Sequence, residues 1–164
     1  MIPGFCPLRR QAGSAILGIS NRMEVDDMKL AVIDGQGGRI GAQLVAAIRQ
    51  AGLPGEVLAI GTNSAATAAM MKAGADAGAT GENPVIVACR DADVIIGPIG
   101  ILSADALLGE ITPAMAAAVG RSRAVKLLLP LNQCNTIVVG TRALSVSALI
   151  AETLGELEKL TGKS

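Results

Sequence analysis

The chain has 164 residues, the size of one domain with a single sizeable core. Lys and Arg (14) balance Asp and Glu (14), so no global charge attracts nucleic acid or anionic lipid. Histidine is absent, which excludes imidazole bases, Ser-His-Asp and Cys-His arrangements and His metal sites. With one Phe and no Trp or Tyr, there is also no platform for stacking single-stranded nucleic acid.

Hydrophobic residues make up 51% of the chain, but much of that is alanine. No stretch reaches the ~18 consecutive apolar residues of a membrane span. Cys6, Cys89 and Cys134 are odd in number and widely spaced, without a Cys-x-x-Cys pair. This disfavours disulfides and zinc and fits a reducing cytoplasm. Residues 1–27 lack periodicity, and Arg9 and Arg10 follow the apolar part, the wrong order for a secretory signal. They read as a disordered extension or an upstream start, with a single Rossmann-like α/β domain expected over 28–164.

From Lys29 onward, short apolar runs alternate with helical patterns, the signature of a parallel sheet with crossover helices. Lys29–Asp34 reads as a buried strand and Arg39–Ala51 as a helix that stops at Gly52-Leu53-Pro54-Gly55. Glu56–Ile60 is the second strand, and a helix over Ser64–Ala73 follows, with Asn63 or Ser64 as cap. A third strand lies near Ala75–Ala79 and a brief helix near Pro84–Ala88. Asp93–Ile96 is the fourth strand, followed by a short helix at Ser103–Leu108. Thr112-Pro113 opens a longer helix, with Thr as N-cap and Pro in the first turn. Lys126–Leu129 and Asn135–Val139 are the fifth and sixth strands, and a helix over residues 145–160 closes the chain. The fold predicted is a three-layer α/β/α sandwich with a mostly parallel, Rossmann-like sheet.

Polar and flexible residues gather after the strands. They are Asp34-Gly35-Gln36-Gly37-Gly38, Thr62-Asn63, Thr80 with Glu82-Asn83, Gly97 and Gly100, and Asn132. In an open parallel sheet these strand ends share one edge, and ligands bind in the crevice outside it. The first turn is the best phosphate cradle, because backbone N–H groups reach an anion only where no Cβ intervenes, and the next helix presents its positive end. Its spacing departs from Gly-x-Gly-x-x-Gly, with Ile40 where the third glycine belongs and Gly41 one residue on. Glycines present only for steric fit in a tight turn are the alternative.

Arg39 stands where a P-loop needs Lys-Ser/Thr, and the spacer of an S-adenosylmethionine loop is missing after Asp34. Dinucleotide and S-adenosylmethionine enzymes carry an acid at the end of the second strand for the ribose. Thr62-Asn63 stands there instead, a lean toward NADP over NAD. Asp34 either bonds backbone amides of its turn or meets a metal or sugar hydroxyl. Glu82 is either a rim acid/base or a helix-start carboxylate. Glu110, Cys89 and Lys72 read as structural or solvated, and Cys134 as a packed thiol.

These segments resemble a family of short bacterial Rossmann-like proteins known as domain of unknown function 3842. The resemblance rests on Lys29–Gly38, Gly61-Thr62-Asn63, Gly78–Asn83, Asp93–Gly100, Gly109–Pro113 and Pro130–Asn135, and spans about residues 28–150. It implies the fold and carries no catalytic roles. The function expected is binding of a nucleotide, foremost an NAD(P)-type dinucleotide. Either the chain is a small oxidoreductase, or half of one completed by a partner chain such as a second copy, or it is a non-catalytic regulatory or structural module whose crevice binds another nucleotide or a small anion. The small-residue helix Ser64–Ala73 is the candidate self-association face.

Overall fold

The computed structural model describes residues 28–131, 137–142 and 144–162. Its five strands are β1 (Lys29–Asp34), β2 (Glu56–Gly61), β3 (Ala77–Thr80), β4 (Val94–Pro98) and β5 (Val125–Leu129). All pair in parallel, in the order β3-β2-β1-β4-β5. The sheet is built outward from β1, so the strand order reverses between β1 and β4. The helices are α1 (Arg39–Gln50), α2 (Ser64–Lys72), α3 (Glu82–Asp91), α4 (Pro113–Arg121) and α5 (Val146–Thr161).

Two apolar layers explain why the strands are continuous apolar runs rather than alternating ones. Leu30, Val32, Val57, Ala59 and Ile96 meet Leu44, Val45 and Ile48 of α1, Met70 of α2 and Leu149, Ile150 and Leu157 of α5. On the other face Ala31, Ile33, Ile60 and Ile95 meet Val85 and Cys89 of α3 and Met115 and Val119 of α4. Helices on both faces of a parallel sheet make the three layers expected. Among the described residues, no helix is long and apolar enough to cross a membrane.

Two expected elements are corrected. Ser103–Leu108 is not a helix. A single 3-10 turn at Ile99–Leu102 is followed by turns with Asp105, Leu107, Leu108 and Gly109 at positive φ. The loop closes on itself through Asp105 N–H to the Ile111 carbonyl (2.7 Å) and Ile111 N–H to the Ala106 carbonyl (3.2 Å). Six residues supply too few helical bonds to outweigh this closure. The expected sixth strand falls partly on residues 135 and 136, outside the described residues. Its remainder, Ile137–Val139, pairs with no described strand and leaves Ile137 84% and Val139 93% exposed. A β-branched run marks fit to a half-buried surface, and no such surface is supplied here.

Candidate functional site

The turn from β1 into α1 is held from beneath by Asp34. Its Oδ1 accepts the Gly35 N–H (2.8 Å) and its Oδ2 the Gly41 N–H (2.7 Å). Burial pushes this carboxyl up from its ordinary value and the Glu110 charge adds to the rise, against the pull of the Gly41, Gly35 and Ile40 amides. Both oxygens serve backbone, so Asp34 shapes the turn from below. Gly38 enters α1 as a left-handed cap at φ 64, with no side-chain cap and no acid in the first helical turn.

The glycines of this turn have different physical reasons. A Cβ on Gly35 would meet Thr62 Oγ1 (2.7 Å), Glu110 Oε2 (2.8 Å) and Leu107 Cδ1 (2.9 Å). On Gly38 it would meet the Ala66 backbone (2.6 Å), and on Gly41 the Met70 side chain and Asp34 Cβ (2.9 Å). Those three are glycines because the chain packs on them. Gly41 thus lets α1 approach the sheet, the part played by the third glycine of the dinucleotide pattern, one residue later than expected. Gly37 differs. Nothing lies within 4 Å of the position its Cβ would take, and its amide bonds no described residue.

Beside Gly37 lies a cavity of about 220 Å³. The turn residues Asp34, Gly35, Gln36, Gly37, Arg39 and Ile40 form one wall, and Pro98, Leu107, Leu131 and Val146 the other. It therefore sits between the ends of β1 and β4, where the strand order reverses. At this size it admits a phosphate or a small fragment, well short of the ~300–1,000 Å³ of a drug-sized pocket. A larger ligand would extend over the surface.

On the other side of the turn, β2 ends in Gly61 and presents Thr62 and Asn63. Asn63 caps α2 through Oδ1 to the Ala66 N–H (2.9 Å) and reaches the Gln36 carbonyl with Nδ2 (2.9 Å). Over this pair stands Glu110, delivered by the left-handed loop after β4. Its Oε2 accepts from the Gln36 N–H (2.7 Å), Asn63 Nδ2 (3.0 Å) and the Thr62 hydroxyl. Burial works to raise the Glu110 carboxyl, but these donors outweigh it and hold it below its ordinary value.

The structure thus brings Asp34, Gly35, Gln36, Gly37, Gly38, Thr62 and Asn63 together. The other described candidates have other partners. Thr80 bonds Thr67 on α2 (2.6 Å), tying the end of β3 to that helix. Glu82 accepts the hydroxyl proton of Thr112, the N-cap of α4, and so joins two helix starts. Asn83 lines a separate groove of about 460 Å³ along α3, over Leu58 and Ala79. A Cβ on Gly97 would run into the Ile33 carbonyl, so this glycine serves the approach of β4 to β1. Gly100 is buried in the 3-10 turn, where its carbonyl accepts the Ser103 N–H (3.0 Å). Asn132 and Cys134 lie outside the described residues. Glu110, Arg39 and Leu107, absent from the sequence candidates, also border the turn. Glu110 looks structural in sequence because its place depends on a backbone path that no local pattern announces.

Fold and site together define an open, doubly wound parallel α/β protein of Rossmann order with a glycine turn at the strand-order reversal. The chain belongs to the family described as domain of unknown function DUF3842, whose model matches residues 29–162. Among proteins of curated function, none matches it. Two solved structures are similar in fold. One is a nucleoside-diphosphate-sugar epimerase from Pseudomonas aeruginosa, at 20% identity and a TM-score of 0.39. The match covers 83% of this chain and 48% of the epimerase, so this chain spans about half the epimerase's length. The other is a dodecameric FMN-dependent UbiX-like decarboxylase from Escherichia coli O157:H7, at 15% identity and a TM-score of 0.40. That match covers 82% of this chain and 95% of the decarboxylase.

Proposed function

We propose that this protein binds the phosphate of a nucleotide at the β1–α1 turn, with an NAD(P)-type dinucleotide as the preferred ligand. The observation that carries this reading is Gly37. Its neighbours Gly35, Gly38 and Gly41 are explained by packing, whereas a Cβ on Gly37 would meet nothing within 4 Å among the described residues, and its amide, beside the start of α1, bonds none of them. Open backbone N–H groups at a helix start are what an anion uses.

A binding role without turnover is favoured over an oxidoreductase by the cavity lining. Among the described residues of the lining the one carboxylate belongs to Asp34, and both its oxygens are engaged by backbone amides. Pro98, Leu107, Leu131 and Val146 offer no acid or base.

Thermal-shift measurements against NAD, NADP, ATP, S-adenosylmethionine and flavins test both statements. A ligand at a hundredfold excess over its Kd should stabilise the protein by roughly 2.7 kcal/mol. Gly37→Val should leave the unliganded melting temperature in place and abolish that shift, because a Cβ there would meet nothing within 4 Å among the described residues. A shift that survives Gly37→Val, or none with any nucleotide, sinks the cradle. A diaphorase-type assay on any NAD(P) complex then separates binding from turnover.

A further inference from the structure

The second strand ends without the acid that dinucleotide sites place there for the adenosine ribose, yet a carboxylate occupies that place in space. Glu110 reaches it from the loop after β4. One oxygen, Oε2, is used up by the Gln36 amide, Asn63 Nδ2 and the Thr62 hydroxyl. The other, Oε1, takes no hydrogen bond from the described residues. The carboxylate is half-buried, abuts Gly35 and stands across the glycine turn from the Pro98–Leu131 cavity. From Glu110, over Gly37, to that cavity runs the order of a dinucleotide's parts: ribose, pyrophosphate, second half.

We propose that Glu110 is the ribose-reading residue of the site, accepting hydroxyl protons of an adenosine 2′,3′-diol on Oε1, and that it selects NAD-type ligands over their 2′-phosphorylated counterparts. This rests on the nucleotide reading of the turn and deepens it. A carboxylate is a pure acceptor, matched to two hydroxyl donors. A phosphate on the 2′-oxygen would put like charges within a few ångströms of each other. The three donors on Oε2 keep the group ionised and fixed in direction, so the repulsion is not relieved by rotation or by protonation at neutral pH. The lean toward NADP read from Thr62-Asn63 is thereby reversed.

The test is calorimetric titration of the wild-type protein with ADP-ribose and with 2′-phospho-ADP-ribose, repeated on Glu110→Gln with its unliganded melting temperature recorded. The wild type should prefer ADP-ribose by about tenfold or more. Glu110→Gln should weaken ADP-ribose, leave the 2′-phosphate form equal or tighter, and bring the ratio below about threefold. Equal wild-type affinity for the two ligands overturns the selection while leaving the phosphate cradle standing. Tighter binding of both ligands to Glu110→Gln also overturns it, because the carboxylate would then be occupying the phosphate's own place. Binding of neither, together with no nucleotide shift in the wild type, removes the cradle and this inference at once. If Glu110→Gln melts too low to titrate, the wild-type ratio alone decides.

Discussion

Asp34 shows how one side chain can sit in a glycine-rich turn of the candidate site and be structural. Its oxygens satisfy two backbone donors six residues apart, Gly35 and Gly41, and it is 5% exposed. Removing it strands both N–H groups in a place water does not reach. Asp34→Ala should therefore cost on the order of 2–4 kcal/mol in chemical denaturation, far more than Gly37→Val three residues away. The contrast is the useful measurement, because it separates residues that build the turn from the one that leaves it open. In sequence, Asp34, Gly35, Gly37 and Gly38 form one motif. Three dimensions divide them by what lies above each Cβ, which no spacing rule records.

At the scale of elements, what was legible is what is encoded by neighbours in sequence. Thr112-Pro113 starts α4 as read, with the Thr112 hydroxyl accepting the Met115 N–H (3.2 Å). Asn63 caps α2 in the same manner. The buried strands were legible too, because continuous apolar runs of Val, Ile, Leu and Ala bounded by Gly and Asp have few other uses. The loop over 103–110 was not, since left-handed Asp105, Leu107 and Leu108 obey tertiary closure rather than local preference. The small residues of α2, read as a possible self-association face, have in Ala66 a partner inside the chain. Gly38 packs on the backbone of Ala66 at a positive φ. Gly38→Ala should force the starts of α1 and α2 apart and cost at least about 2 kcal/mol in thermal or urea melts. A loss below about half that value would show that the two helices have room to give.

Over the whole molecule, the two ends of the sheet carry carboxylates whose proton linkage runs in opposite directions. Asp76, just before β3, accepts the Val57 N–H (2.7 Å) and pairs with Arg49 at the end of α1. The Val57 bond first, and Arg49 second, hold its carboxyl below the ordinary 3.8 against the effect of burial. Its stabilisation is thus complete above about 3.8 and is lost as the pH falls through the folded value. Asp34 has the reverse sign. Burial raises it in the fold, so its contribution is complete below 3.8 and is lost as the pH rises through the raised value. Asp76→Asn should cost on the order of 1 kcal/mol at neutral pH, given its exposure, and should flatten the acid limb of the stability curve. An unchanged acid limb would assign acid unfolding to other carboxylates. The same global view explains the half-read site. The loops that follow the strands could be counted along one edge from sequence, but Thr80, Glu82 and Asn83 proved to face helices and a different groove. Glu110, dismissed locally, closes over the turn.

That closure has a consequence in time. The Glu110 carboxylate bonds an amide 74 residues earlier in the chain and side chains 48 and 47 residues earlier. Synthesis runs from the N-terminus, and domains gather their contacts as the chain emerges. The glycine turn and its two flanking strands are complete within the stretch from Lys29 to Gly61. The acid is made only after β4, the strand that pairs with β1. On the reading proposed above, a growing chain holds its glycine turn long before Glu110 reaches it, and discrimination between ligands would be a late property of this fold.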